Sequence, residues 1–273
     1  MSPTGEGCGV LAEARGRRGV AANVQSESVC WLMLMERGAA IGSILTRAFV
    51  LAGFIVTGLA LSLARTAEAI PNTWSPAGSM STARYFPAAA LLPTGKVLVA
   101  GGYGDMPAIA VAVAELYDPA TNGWFSAGNM STDRYFPTAT LLPNGKVLVA
   151  GGQDNVPPFN LASAELYDAT TNAWSPAGSM ATPRWRHTAT LLPNGKVLVV
   201  GGQSTSGAAL DSAEVYDPAT NTWSPASSLA AGRFAHTATL LSNGKVLAAG
   251  GNGDFSNVRL ARAEVYDPAT DAW

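Results

Sequence analysis

Four arginines recur in step, Arg84, Arg134, Arg184 and Arg233, and four glutamates recur with them, Glu115, Glu165, Glu214 and Glu264. Two histidines, His187 and His236, each follow an arginine by three residues. These are the groups whose types and spacing could do chemistry: carboxylate and guanidinium for proton or oxyanion handling, imidazole for a metal or a proton. The regular recurrence favours structure instead. A metal centre needs ligands converging from different elements, whereas both histidines fill one repeat position, held by Pro87 and Pro137 in the first two copies. Arg and Glu in constant register are expected to pair as structural ions within or between units. A nucleophile elbow, a phosphate loop and a zinc motif are absent from the sequence. No catalytic residue is assigned, and no metal or cofactor is expected.

The chain carries little charge: 13% of 273 residues, with a net charge of -2, so no basic field exists to capture nucleic acid. Hydrophobic residues make up 48%, enough for a sizeable core, and 29 glycines and 17 prolines mark a turn-rich, β-leaning chain. The two cysteines, Cys8 and Cys30, both precede the apolar run described next, which excludes a disulfide framework beyond it.

Residues 48–64 read AFVLAGFIVTGLALSLA, an uncharged run preceded by Arg37 and Arg47 and followed by the small-x-small site Ala67-Glu68-Ala69. That layout predicts a signal peptide cleaved to leave Ile70, hence a secreted, periplasmic or cell-surface protein. The alternative is an uncleaved single-pass anchor through residues 48–64. Met35 stands closer to the apolar run than Met1, so residues 1–34 are expected to be a non-native or disordered extension and 35–69 the signal peptide or anchor.

From Ile70 onward the chain repeats. Trp74, Trp124, Trp174, Trp223 and Trp273 recur at spacings of 50, 50, 49 and 50, in step with Gly-Gly pairs at 101, 151, 201 and 250 and with Tyr117, Tyr167, Tyr216 and Tyr266. In the third copy His187–Leu192 reads as a strand, Pro193-Asn194-Gly195 as a turn, Lys196–Val200 as a second strand and Ser212–Tyr216 as a third. Asp217–Asn221 then forms a turn, and Trp223 opens a fourth strand. Asn-Gly between apolar runs predicts a hairpin with both turn residues at positive φ, and Thr94-Gly95 in the first copy should turn less readily. Each unit is thus a four-stranded antiparallel meander. Second strands such as Val147–Ala150 are apolar without alternation, so both of their faces need cover, which radial stacking of units provides. Trp and Tyr would pack between units.

Arg-x-x-His, Asn-Gly-Lys-Val-Leu-Val-x-Gly-Gly and Glu-Val-Tyr-Asp-Pro-x-Thr-Asn-x-Trp resemble the kelch repeat, over Pro71 to Trp273. The resemblance implies an all-β fold: a kelch-type β-propeller of four-stranded antiparallel blades at residues 70–273, with four repeats, the first strand innermost, preceded by the hydrophobic N-terminal segment. The fourth repeat stops at its outer strand, and Pro71 to Gly78 supplies a spare one. A longer functional protein is expected over closure of a four-bladed ring. Kelch enzymes include galactose oxidase, whose chemistry requires a propeller cysteine that this sequence lacks, and sialic-acid enzymes, whose constellation is not found.

Variation between copies concentrates in the loops after each Gly-Gly pair, on the face that also receives the segment after each repeated Arg. Tyr85, Tyr135, Trp185, Arg186 and Phe234 from those segments, with Asp105, Asp154, Phe159, Asp254 and Phe255 from the loops, are the candidate binding residues. Aromatic rings beside an arginine suit a protein or carbohydrate ligand. The expectation is an exported, non-enzymatic binding module. The alternative is a fragment of a secreted galactose-oxidase-like or sialic-acid-type kelch enzyme.

Overall fold

The structure, a computed structural model, describes residues 74–104, 109–253 and 258–273. All of them belong to the second of two compact units, residues 74–273. The predicted signal or anchor and both cysteines lie outside the described residues. No helix among the described residues is long and apolar enough to cross a membrane.

Every regular element described is a strand. A short pair, β1 (Arg84–Tyr85) and β4 (Tyr103–Gly104), flanks the first blade. That blade is β2 (Ala88–Leu91), β3 (Val97–Ala100), β5 (Val113–Asp118) and β6 (Gly123–Asn129), antiparallel in the order β2-β3-β5-β6. The second blade runs through β7 (Thr138–Leu141), β8 (Val147–Ala150), β9 (Ser163–Asp168) and β10 (Ala173–Ser179). The third follows with β11 (Thr188–Leu191), β12 (Val197–Val200), β13 (Ala213–Asp217) and β14 (Thr222–Ala226). The fourth has three strands, β15 (Thr237–Leu240), β16 (Val246–Ala249) and β17 (Ala263–Tyr266), and beyond them a lone Asp267–Ala272 bridge. These are the four-stranded meanders of a kelch β-propeller. The first strands of successive blades, β2, β7, β11 and β15, neighbour one another, as innermost strands must.

All four residues of β8 and of β12 are buried, as an unbroken apolar run requires when sheets cover it on both sides. The core is a series of inter-blade layers. Leu98, Ala100 and Ala114 of blade one meet Val147, Val149 and Tyr167 of blade two. Leu148, Ala150 and Ala164 meet Val197 and Tyr216. Leu198, Val200 and Ala213 meet Val246, Ala248 and Tyr266.

The hairpin turns differ from the expectation. Gly145 has φ 81° while Asn144 stays at negative φ. The Gly145 N–H donates to Leu142 C=O at 2.9 Å, and the Leu142 N–H to Lys146 C=O at 2.8 Å. This is a three-residue loop, a type I turn followed by a left-handed glycine. Pro143 suits its second position, and Asn144 accepts the Lys146 N–H at 3.1 Å. Only the glycine needs positive φ, so Thr94-Gly95 closes the same turn, with the Gly95 N–H 2.9 Å from Leu92 C=O.

The rings of Trp124, Trp174, Trp223 and Trp273 each tilt on the Tyr of their own blade, at 5.1 to 5.3 Å between centroids. Its indole N–H crosses to the outer segment of the preceding blade: Trp174 to Ala127 C=O at 2.8 Å, Trp223 to Ala177 C=O at 2.9 Å. The ring therefore covers its own sheet while its polar atom ties two sheets together.

Candidate functional site

The charged groups of the repeat lie inside the blades. Arg134 pairs with Glu165 at 2.8 Å and Arg184 with Glu214 at 2.7 Å, with every guanidinium of the series fully buried. Each pair joins residues of one repeat. The arginine also donates to two carbonyls, for Arg184 those of Gly201 and Ser212 at 2.8 and 2.9 Å. Burial pulls the Arg134 guanidinium below its ordinary pKa, and Glu165 counters it. Burial lifts the Glu115 carboxyl, but the Ser81 N–H and Arg84 outweigh it and hold the group low. The Nε of Arg134 and of Arg233 is buried without a partner, but every guanidinium of the series is sealed from solvent inside its own repeat, so these pairs are struts.

The histidines are struts as well. His187 Nε2 lies 3.0 Å from Thr138 Oγ1 of the preceding blade, and His236 Nε2 3.0 Å from Thr188 Oγ1. Burial, reinforced by the neighbouring arginine charge, pushes their pKa down to about 3 and about 4.

Chemistry open to a ligand sits on the face of the Gly-Gly loops. The residue after each repeated Arg pairs with the residue after the Gly-Gly pair: Tyr85 with Tyr103, Tyr135 with Gln153, Trp185 with Gln203, Phe234 with Asn252. The next residue, Phe86, Phe136, Arg186 or Ala235, takes a left-handed backbone with φ of 54°, 54°, 53° and 51°. Such a conformation costs about 1 to 3 kcal/mol for a residue with a side chain. Backbone bonds between blades hold it. The Phe136 N–H donates to Phe86 C=O at 3.1 Å, and the Ala235 N–H to Arg186 C=O at 2.9 Å.

The side chains consequently fall into two lines. Phe86 stacks on Phe136 at 3.9 Å, and the Arg186 guanidinium lies 4.8 Å from the Phe136 centroid and 4.1 Å from that of Trp185. Beside them Tyr85, Tyr103, Tyr135 and Trp185 follow one another at 5.2, 5.0 and 6.3 Å. Tyr85 and Phe86 are 46% and 48% exposed. Partial burial draws the Arg186 pKa below its ordinary value, yet the group remains the cation of this surface.

Of the predicted residues, the structure brings Tyr85, Tyr135, Trp185 and Arg186 together. Phe159 joins their edge: with Trp185, Gln153, Asn160 and Gln203 it lines a cavity of about 210 Å³. Phe234 is buried at 6% exposure, and Ala235 beside it carries no large side chain to extend the lines. The Asp154 carboxylate caps its own loop by accepting the Asn155 N–H. Asp105, Asp254 and Phe255 lie outside the described residues.

Phe86 and Phe136 belong to the same aromatic segments as Tyr85 and Tyr135, and Tyr103 opens the first of the variable loops. There it replaces the amide side chain that other copies carry after Gly-Gly. The loops are also cross-tied. Asn155 of the second repeat bonds Ala110 of the first through both amide atoms, at 2.7 and 3.1 Å. Asn160 donates to Gln203 C=O of the third repeat at 2.9 Å.

Repeated buried Arg–Glu pairs, Gly-Gly inter-blade joints and Tyr–Trp seals define a kelch-repeat β-propeller. The chain matches the KLHDC2/KLHL20/DRC7 Kelch-repeats domain over residues 72–273 and belongs to that family. No curated protein matches it. Kelch domains generally mediate protein–protein interaction.

Proposed function

We propose that the chain is an exported protein-binding module whose ligand lies across the Gly-Gly-loop face. The observation that carries this reading is the pair of aromatic lines ending on Arg186. Six aromatic side chains and one guanidinium, fixed by a strained backbone, form a surface that gives apolar contact at low entropic cost and a directed donor. A peptide segment with apolar side chains and a carboxylate or carbonyl near Arg186 matches that chemistry. The signal-like segment at residues 35–69 supports export.

Arg186→Ala tests the site. Among the described residues the guanidinium contacts the Phe136 and Trp185 rings, so stability should fall by no more than about 1 kcal/mol, while retention on a peptide array falls at least about tenfold, or roughly 1.4 kcal/mol. Unchanged peptide retention refutes the site, and retention on a glycan array instead transfers it to saccharides. N-terminal sequencing of the exported protein should read from Ile70; an intact Met1 or Met35 refutes cleavage.

A further inference from the structure

What the blades need recurs in every repeat, and what one repeat alone carries has another reason. The residue after each Gly-Gly pair bridges to one farther along its own loop: Tyr103 to Ala110, Gln153 to Asn160, Gln203 to Ala209 and Asn252 to Arg259. Amide side chains fill both positions only in the second repeat, and there Gln203 of the third repeat adds another. Asn160 is 3% exposed, at a position where the first and third repeats manage with alanine. The fold does not require this buried amide.

The amides are joined in series. The Tyr135 O–H donates to Gln153 Oε1 at 2.6 Å, Gln153 Nε2 to Asn160 Oδ1 at 2.7 Å, and Asn160 Nδ2 to Gln203 C=O at 2.9 Å. A backbone carbonyl can only accept, so the last bond fixes which way every amide in the series points. Gln203 Nε2 is held by Gly207 C=O at 2.8 Å. Each amide nitrogen carries two protons, which leaves one unused on Gln153 and one on Asn160. Among the described residues Gln203 Oε1 and the Trp185 indole N–H have no partner, and neither atom is sealed from solvent.

These residues line the cavity of about 210 Å³ beside Trp185, with Thr205 exposed at its rim. Phe159 adds a second ring. It is 47% exposed and takes a left-handed backbone, φ 63°, held by its N–H on Val156 C=O at 2.9 Å and by the Asp154 N–H on its own carbonyl at 2.7 Å. Among the described residues no lining side chain is ionisable, so the chemistry that fits is uncharged. The volume falls below the about 300 to 1,000 Å³ of sites for drug-sized molecules, which leaves room for one ring-sized unit. An apolar side chain there would leave Gln203 Oε1 and the spare amide protons unpaired. A saturated ring with C–H faces and hydroxyls around its edge satisfies both kinds of wall, since each hydroxyl donates and accepts.

We propose that this cavity binds one neutral pyranose ring, either as a free sugar or as the end unit of a glycan. It is a second site: Arg186, on which the peptide surface ends, does not line it. The C–H faces of the sugar meet Phe159 and Trp185, its hydroxyls donate to Gln203 Oε1, and they accept the spare protons of Gln153 and Asn160. Because the series already holds these amides in place, little side-chain freedom is lost on binding.

Saturation-transfer NMR of the full chain with the methyl glycosides of glucose, galactose and mannose should show transfer to at least one of them, and less to methyl glucuronide. Phe159→Ala removes an exposed ring, and Thr205→Trp plugs the mouth while leaving every amide of the series in place. Each should weaken binding at least about tenfold, as loss of an anchor does, with an unchanged far-ultraviolet circular dichroism spectrum. Transfer to none of the three neutral glycosides overturns the proposal. So does binding that survives either substitution, and so does a preference for the glucuronide. Beads carrying the responding sugar tell the two sources apart: retention marks the end of a glycan, and binding in solution without retention marks a free sugar.

Discussion

Arg184 and Glu214 meet at 2.7 Å with the guanidinium side chain at 0% and the carboxylate at 5% exposure. Both charges have left water, and the cost is offset by complete satisfaction: two carbonyls beneath Arg184, and the Ala181 and Thr182 N–H groups on Glu214 at 2.7 and 3.1 Å. The carboxylate thereby fixes the segment that leads into Trp185 and Arg186. Removing one partner strands a buried charge, so Arg184→Ala should cost about 3 to 5 kcal/mol. The surface pair Lys196–Asp217, at 2.9 Å with the lysine 43% exposed, offers the control. Its disruption should cost about 0 to 1 kcal/mol. Urea denaturation of the two variants measures the contrast.

Stability should fall in mild acid because of the histidines. In the unfolded chain an imidazole titrates near 6.5, while in the fold burial first, and then the charge of Arg184 or Arg233, holds His187 at about 3 and His236 at about 4. The unfolded state therefore binds more protons below pH 6.5. Stability is full above that pH and declines as pH drops toward 4, by about 1.4 kcal/mol per unit for each histidine. The lysine-paired aspartates titrate below this window, as Asp168 illustrates: Thr170 first, then Lys146, hold it at about 2. His187→Gln should halve the slope of unfolding free energy between pH 6 and 5, above the range in which the unfolded chain's carboxylates begin to bind protons, which denaturation at stepped pH reads out.

The blades were legible in sequence because each repeat states its pattern four times: turn residues, an unbroken apolar second strand, and Tyr and Trp in register. The joints between blades were less so. Positive φ at Phe86, Phe136, Arg186 and Ala235 has no composition signal, since none of these residues favours the left-handed region and inter-blade hydrogen bonds impose it. The site inherits that blindness. Tyr85 and Tyr135 could be picked out by type, but the stacking of Phe86 on Phe136 and of Arg186 on Trp185 depends on a backbone that tertiary contact alone selects. Phe234 looked equivalent to Trp185 and is not, because its neighbour Ala235 adds no side chain to the row.

Two glycines that both hold a left-handed backbone should respond differently to a methyl group. At Gly145, φ 81°, an added Cβ meets nothing within 4 Å, so Gly145→Ala should cost the backbone term alone, about 1 to 2 kcal/mol. At Gly201, φ 60°, the same Cβ would stand 2.4 Å from Arg233 O and 3.0 Å from the His236 ring, with a joint between blades in the way. Overpacking there adds about 1 to 3 kcal/mol to the backbone cost. Equal denaturation midpoints for the two alanine variants would refute the joint's geometry.

Five tryptophans share one repeat position, yet their surroundings separate them. Trp223 lies on Tyr216 at 5.1 Å and donates its indole N–H to Ala177 C=O at 2.9 Å, so it seals the second blade to the third. Trp74 has no tyrosine under it and is fully exposed. Trp223 is half-buried, so Trp223→Ala should cost somewhat less than the range of about 3 to 5 kcal/mol for truncating a fully buried aromatic. Trp74→Ala should change the stability of the single chain by no more than about 0.5 kcal/mol. Trp223→Phe separates the two parts of the larger loss: the ring stays, the donor goes, and the stranded carbonyl leaves a cost of about 1 to 3 kcal/mol. If Trp223→Phe matched wild type in chemical denaturation, the indole N–H would hold nothing and the blades would be sealed by apolar contact alone.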